Sequence, residues 1–260
     1  MFNNKTVLLT GAGGGIGSAI ASALSKSGAT LIFVGLHQAE LNKLNQTLGG
    51  QHHVIEADIA STTGREAILI FCQQCPDKLD ILVNCAGVGQ FDLFDNMDQD
   101  LISAIININL TSTMLLTQLL LPVLLARPQG QIVNIGSIFG SIGYPGSTVY
   151  CASKFGIRGF SEALNRELMD THIKVRYFAP RATKTAINNE QVVAMNNELA
   201  TKMDSADYVA DEFVIFLQSG KLRQYLGWPE KLFVRVNGLF PNIVDKSIFK
   251  QLPIIKRFLK

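Results

Sequence analysis

Residues 6–17 read TVLLTGAGGGIG: an apolar run of β-forming residues breaks into glycines and opens directly onto a stretch of helical period at 16–29. Glycine lets the chain turn sharply and approach a bound group closely. The helix that follows presents free N–H groups and the positive end of its dipole. Gly11, Gly15, Ile16 and Gly17 are therefore candidates to cradle a pyrophosphate. A glycine-rich turn alone is also what any flexible strand-to-helix loop looks like. Its position, opening the first βα unit of an alternating chain, is what points to dinucleotide binding.

The alternation continues outward from that turn. Apolar β-rich runs recur at 31–34, 53–55, 81–83, 132–135 and 174–178, with a short last one at 223–226; stretches of helical period fill 38–48, 62–75, 98–127 and 150–171. Strands separated by crossovers long enough for right-handed βαβ units predict an α/β fold, a doubly wound and mostly parallel sheet with helices on both faces. No repeat or linker divides residues 1–227, which read as one domain, and residues 228–260 read as a short C-terminal helical extension.

Composition bounds the function. With 260 residues, 47% of them hydrophobic, and a net charge of +2, the chain can bury a full core and lacks the basic excess of a nucleic-acid binder, so no nucleic acid is expected as partner. The first residues, MFNNKTVLLTGAGGG, lack the apolar core and cleavage site of a signal peptide, and the four cysteines are too scattered to frame a secreted fold. A reducing cytoplasm is the expected location. Cys72 and Cys75 form a C-x-x-C with no second cysteine pair or nearby His pair in sequence, so no metal is expected. Residues 110–126 are apolar but shorter than the ~20 residues of a membrane span and contain Gln118 and Pro122, which favours a buried core helix.

Four further segments join TGAGGGIG: Asp58-Ile59 after the third strand, NCAG at 84–87, Ser137 after the fifth strand, and YCASK at 150–154. In order and spacing they resemble the short-chain dehydrogenase/reductase family over residues 4–227, including the thirteen residues from Ser137 to Tyr150. The resemblance implies a Rossmann-type fold and an NAD(P)-dependent oxidoreductase that interconverts a carbonyl and an alcohol. It also implies a catalytic set of Asn109, Ser137, Tyr150 and Lys154. Tyr150 serves as acid/base, Lys154 tunes it and binds the nicotinamide ribose, Ser137 orients the substrate oxygen, and Asn109 relays a proton. Asn107 in the string NINL competes for the last role.

Tyr and Lys four apart share a helix face, so the ammonium is expected to favour the phenolate and draw its pKa of ~10 toward neutrality. The same spacing also describes an ordinary surface pair. Asp58 resembles the family's adenine-binding acid, and Asn84, Ala86 and Gly87 resemble the turn beside the cofactor, with Cys85 in place of an asparagine. Pro180 and Thr185 in PRATKT resemble the segment that contacts the nicotinamide carboxamide, with Arg181 where the family has glycine. Residues 186–205 resemble its mobile substrate lid.

The second strand ends Gly35-Leu36-His37, with neither the acid of NAD enzymes nor the arginine of many NADP enzymes. Lack of an acid and a possible hydrogen bond from His37 favour NADP(H) over NAD(H); a solvated loop histidine is the plainer reading. Phe91, Phe94, Phe139, Tyr144 and the lid methionines suggest a small-molecule carbonyl/alcohol substrate with an apolar portion, and would equally suit core packing. A non-catalytic dinucleotide-binding regulator on the same fold is the rival function, and dehydration or epimerisation a third. The family commonly pairs its two long helices into an oligomer seam, so a homodimer or homotetramer is expected. Removing residues 246–260 changes the net charge from +2 to −3. This basic, apolar tail either covers the cleft or the oligomer seam, or makes weak contact with a membrane surface.

Overall fold

The computed structural model describes residues 2–188 and 190–259. Among them the strands β1 (Thr6–Thr10), β2 (Thr30–Gly35), β3 (His53–Glu56), β4 (Ile81–Asn84), β5 (Gln131–Ile135), β6 (Lys174–Ala179) and β7 (Arg223–Tyr225) form one sheet in the order β3-β2-β1-β4-β5-β6-β7. Every pairing is parallel. The order reverses between β1 and β4, so the carboxyl ends of these two strands open a crevice where a ligand can bind.

The helices are α1 (Gly15–Lys26), α2 (Gln38–Thr47), α3 (Thr62–Gln74), α4 (Gln99–Ile106), α5 (Ser112–Leu125), α6 (Thr148–Glu167), α7 (Glu190–Glu198), α8 (Ala206–Gln218), α9 (Glu230–Leu239) and α10 (Pro241–Arg257). On one face α1, α2 and α8 close over the sheet through Ile20, Leu24, Leu41, Phe213 and Phe216; on the other, Ile68, Leu116, Leu120, Leu124 and Leu168 pack against Leu8, Ile32 and Ile132. Strands buried on both faces explain why their sequences read as continuous apolar runs rather than alternating ones.

Three features depart from the sequence expectation. The helix expected at 98–127 is interrupted by a π turn, Asn107–Thr111, between α4 and α5. The rod Gln99–Leu125 is 27 residues long and holds an 18-residue stretch with a mean hydropathy of 1.6, long and apolar enough to cross a membrane by length and composition, yet Leu116, Leu120 and Leu124 lie in the sheet-facing core. Helix α8 was not legible as a separate crossover, and α7 lies inside the segment expected as the lid.

At the C-x-x-C, Cys75 Sγ lies 3.8 Å from His53 Nε2, and the same nitrogen lies 3.3 Å from Asp77 Oδ2, so one histidine reaches Cys75 from the start of β3. Cys72 is buried in the core under α3, and burial pushes its thiol up to about 12.

Candidate active site

The glycine turn is shaped by backbone crowding. Gly11 has φ of +66°, and a Cβ there would lie 2.7 Å from Ala86 Cα; a Cβ on Gly17 would overlap the Gly11 carbonyl. The turn is thus pressed against the end of β4, and the chain reaches this density only without side chains. Helix α1 begins after Gly14 with no side-chain cap and no acid in its first turn, while Gly13, Gly14 and Gly15 are exposed. Uncapped N–H groups, a positive dipole end and bare glycine backbone fit a pyrophosphate. Thr10 fixes the neighbouring wall, its Oγ1 accepting from Cys85 N at 3.0 Å and Ala86 N at 3.1 Å. Nothing in the sequence marked Thr10 for this role.

Beyond that wall, the π turn carries Asn109 inward and leaves Asn107 in solvent. Asn109 Oδ1 accepts from Val88 N at 2.8 Å. Its amide donates to Val88 O at 2.8 Å and to Ser153 Oγ at 3.0 Å. Ser153, between Tyr150 and Lys154 on α6, is a residue that sequence reasoning did not single out. A Cβ on Gly87 would lie 3.1 Å from Asn109 Oδ1 and 3.6 Å from Lys154 Nζ, so Gly87 forms the floor between them. Lys154 is buried, donates to Ile135 O at 3.1 Å and places Nζ 5.6 Å from the centre of the Tyr150 ring.

Ser137, two residues beyond the end of β5, completes the group. Its backbone carbonyl accepts from Tyr177 OH at 3.0 Å, its Oγ accepts from Phe139 N at 3.1 Å, and its side chain is close enough to the Tyr150 phenol to act on its ionisation. The structure therefore brings Asn109, Ser137, Tyr150 and Lys154 together at the carboxyl end of the sheet, beside the glycine turn.

The expected acidification of Tyr150 is not what this geometry produces. Burial pushes the phenol up to about 12, only partly opposed by the Ser137 hydrogen bond. Burial likewise lowers Lys154 to about 8. Removing each charge from water outweighs their mutual attraction here, because the Lys154 ammonium is turned to the Ile135 carbonyl and the ring face. Cys85 sits in the same field, and burial pushes its thiol up to about 11.

The remaining expected contacts divide. Thr185 lies on the turn, its side chain 2.6 Å from where a Gly15 Cβ would stand, and Pro180 accepts from Ile138 N at 3.0 Å beside Ser137. Asp58 is exposed at the end of β3, one carboxylate oxygen accepting from Ala60 N at 2.8 Å, and Ile59 is buried beneath it.

Asn84 departs from expectation. Its amide donates to Asn134 Oδ1 at 2.8 Å and Thr117 Oγ1 at 3.1 Å inside the core, so its side chain braces β4 against β5 and α5 rather than facing the cleft. His37 and Leu36 are exposed at the end of β2. Two acids that the sequence reading missed come to this loop: Glu56 accepts from Gln38 N at 3.1 Å, and Glu40 Oε2 stands 3.4 Å from a Gly13 Cβ position.

The lid segment rises from a closed base. Thr183 bridges to Asp204, and Arg181 Nη2 and Nε reach Asp204 at 2.7 and 2.9 Å. Arg181 Nη1 reaches Glu230 and Trp228 O, both at 3.1 Å. The arginine that replaces the family's glycine thus ties the lid to the start of α9. Above the site, Phe91, Leu93 and Tyr144 gather with Met195 of the lid and with Ile255 and Leu259 of the C-terminus. Phe94, named with them in the sequence, stands in solvent instead. A recess of about 450 Å³ opens between Tyr144, Thr148 and Cys151 on one side and Ile248, Phe249 and Leu252 on the other; none of Asn109, Ser137, Tyr150 and Lys154 lines it.

A sequence profile described as short chain dehydrogenase matches residues 5–196. The chain is 32% identical over 241 residues to nodulation protein G of Rhizobium sp. (strain N33), covering 90% of this chain and 96% of that one. It is 32% identical over 220 residues to 3-oxoacyl-(acyl-carrier-protein) reductase FabG of Vibrio harveyi, covering 83% and 90%. A short-chain dehydrogenase from Streptomyces avermitilis superposes with a TM-score of 0.80 at 24% identity, over 97% of each chain.

Proposed function

Because the chain belongs to the short-chain dehydrogenase/reductase family, and is an NAD(P)-dependent oxidoreductase, we propose that it reduces a carbonyl on a substrate with an apolar portion, using Tyr150, Lys154, Ser137 and Asn109. The observation that carries this reading is the convergence of those four side chains beside an uncapped helix end. The glycine turn, Thr185 and Lys154 would hold the cofactor, whose nicotinamide supplies or accepts the hydride when bound.

Each residue has a defined task in this proposal. Ser137 and Tyr150 hydrogen-bond the substrate oxygen, and Tyr150 gives it a proton on reduction or removes one on oxidation. Lys154 holds the ribose by its ammonium, and Asn109 keeps the floor residues Val88 and Gly87 in place. Lid residue Ile187 lies beside Tyr150, over Gly89, where it would keep water from the reacting oxygen.

A carbonyl carried on an acyl-like chain is the substrate class supported by the apolar cluster of Phe91, Tyr144 and Met195 and by the 3-oxoacyl reductase among the relatives. For the cofactor, the absence of an acid at 35–37 supports NADP(H), while Glu40 and Glu56 beside the loop work against a 2′-phosphate. The preference is therefore modest. Glu40→Gln and Leu36→Arg should each strengthen NADPH relative to NADH. A homodimer through α5 and α6 is supported by Leu115, Leu125 and Phe155, all exposed in the single chain, with Met169 exposed just beyond α6.

The test is NADPH and NADH oxidation against ketones of increasing apolar length. kcat/KM should rise with chain length, and Tyr150→Phe should remove at least 100-fold of the turnover with cofactor binding retained. Turnover by Tyr150→Phe at the level of the parent protein would overturn the assignment.

A further inference from the structure

The C-terminal hairpin of α9 and α10 has two faces of different chemistry. Inward, Val244 and Ile248 pack on Ile138 and Ile142, and Ile255 and Leu259 pack on Met195 and Tyr144. Successive helical residues turn by about 100°, so positions 243, 246, 249, 250, 253, 256 and 257 fall in the opposite arc. That arc carries Ile243, Lys246, Phe249, Lys250, Pro253, Lys256 and Arg257. At the turn between the helices, Leu239 and Phe240 are 73% and 60% exposed; Ile243 and Phe249 follow at 56% and 72%. Among the described residues Lys246, Lys250 and Lys256 make no ion pair, while Arg257 pairs with Glu198.

Large apolar side chains clustered in solvent mark a surface that meets something. Here the partner must accept apolar groups and cations side by side, on a chain whose other 245 residues carry a net −3. A protein patch supplies either an apolar face or an acidic one more readily than both along one helix. A bilayer with anionic headgroups supplies both at every point: phosphates for the lysines, acyl boundary for the rings.

We propose that the α9–α10 hairpin docks this protein on an anionic lipid bilayer, with Leu239, Phe240 and Ile243 entering the interface and Lys246, Lys250 and Lys256 on the headgroups. Phe249 belongs both to the outer arc and to the wall of a recess that Tyr144 also lines, and Tyr144 joins the apolar cluster of Phe91 and Met195, so the docked face lies next to that cluster. An apolar carbonyl substrate dissolved in the bilayer would enter there. That access route rests on the carbonyl-reductase reading; the docking itself does not.

The experiment is co-sedimentation of the full chain with vesicles of phosphatidylcholine, with and without phosphatidylglycerol, at low and high salt. The parent protein should bind the anionic vesicles at least tenfold more tightly than the neutral ones, and lose this in high salt. Two variants separate the contributions, K246E/K250E for charge and L239S/F240S for insertion. Each should weaken binding at least tenfold, while melting temperature and turnover of a short, soluble ketone match the parent. Equal binding to neutral and anionic vesicles overturns the proposal, as does unchanged binding by K246E/K250E. Loss of the oligomer in either variant assigns the face to a second copy and overturns it too. If no carbonyl is reduced by the parent protein, the vesicle result stands and only the access route falls.

Discussion

Arg181 is the place where a single perturbation should report on the architecture of the site. Its guanidinium and Asp204 are 8% and 5% exposed, joined by two hydrogen bonds at 2.7 and 2.9 Å, with Glu230 as a second carboxylate. The Asp204 hydrogen bonds are the first cause of a guanidinium pKa held above its ordinary value. Removing one partner from a buried pair costs about 3–5 kcal/mol, because the other charge is left without compensation. Glu230 and the Trp228 carbonyl still hold the guanidinium, so Asp204→Ala should fall at the lower end, about 3 kcal/mol. At about 2–4 °C per kcal/mol that lowers Tm by roughly 6–12 °C.

Urea unfolding and calorimetry measure the loss. Hydrogen exchange should show it first at 182–205, where the bridge of Thr183 to Asp204 closes the lid base. Arg181→Met/Asp204→Leu removes both charges and should recover most of the stability, giving a strongly non-additive cycle. A cost under about 1 kcal/mol for Asp204→Ala, or additive single and double variants, would refute the argument from burial.

Two further outcomes follow from the site. Lys154 falls from 10.5 to about 8 by burial, so the unfolded chain holds more protons between those values and stability rises with pH across that window. Lys154→Met should then unfold later than the parent at pH 7, by up to about 3 kcal/mol, with the gap closing above the unfolded value and activity lost; an unchanged or lowered stability at pH 7 would show that the ammonium is not strained. Gly17→Ala should weaken cofactor binding at least tenfold and cost about 1–3 kcal/mol by overpacking, since its Cβ overlaps the Gly11 carbonyl; fluorescence titration that finds an unchanged Kd would place the cofactor elsewhere.

Much of this was legible along the chain because the sheet is buried on both faces. Strands such as TVLLT and ILVN announce themselves by continuous apolar residues, and the crossovers between them by length. Helix α8 was missed since ADYVADEFVIFLQ mixes acids with β-branched and aromatic residues, and its pattern emerges only once Val209, Phe213 and Phe216 are seen against α1 and the sheet. At the site, side-chain identity was readable but direction was not. Asn84 looked like a cleft residue and proves to be a core brace, and Glu40 and Glu56 reach the β2 loop from a following helix and a neighbouring strand. The Tyr150–Lys154 spacing gave proximity, but the balance of attraction against desolvation depends on the depth of burial, which no spacing encodes.

The π turn at Asn107–Thr111 makes residue count, rather than residue type, a determinant of the site. A π turn holds one residue more than the α turn it replaces, so deleting one position there would let the rod close into a continuous α-helix. The helices on either side would keep their faces, since only the extra position is lost, while the residues left inside the turn would shift by up to about 100° about the helix axis. Leu116, Leu120 and Leu124 would stay in the core, and Asn109 would swing away from Val88 and Ser153. Substitution at Ile108, half-buried and without a side-chain hydrogen bond, should be tolerated where its deletion is not. For this segment the informative library is therefore one of lengths, in which a single-codon loss silences a protein that many single-codon changes leave intact.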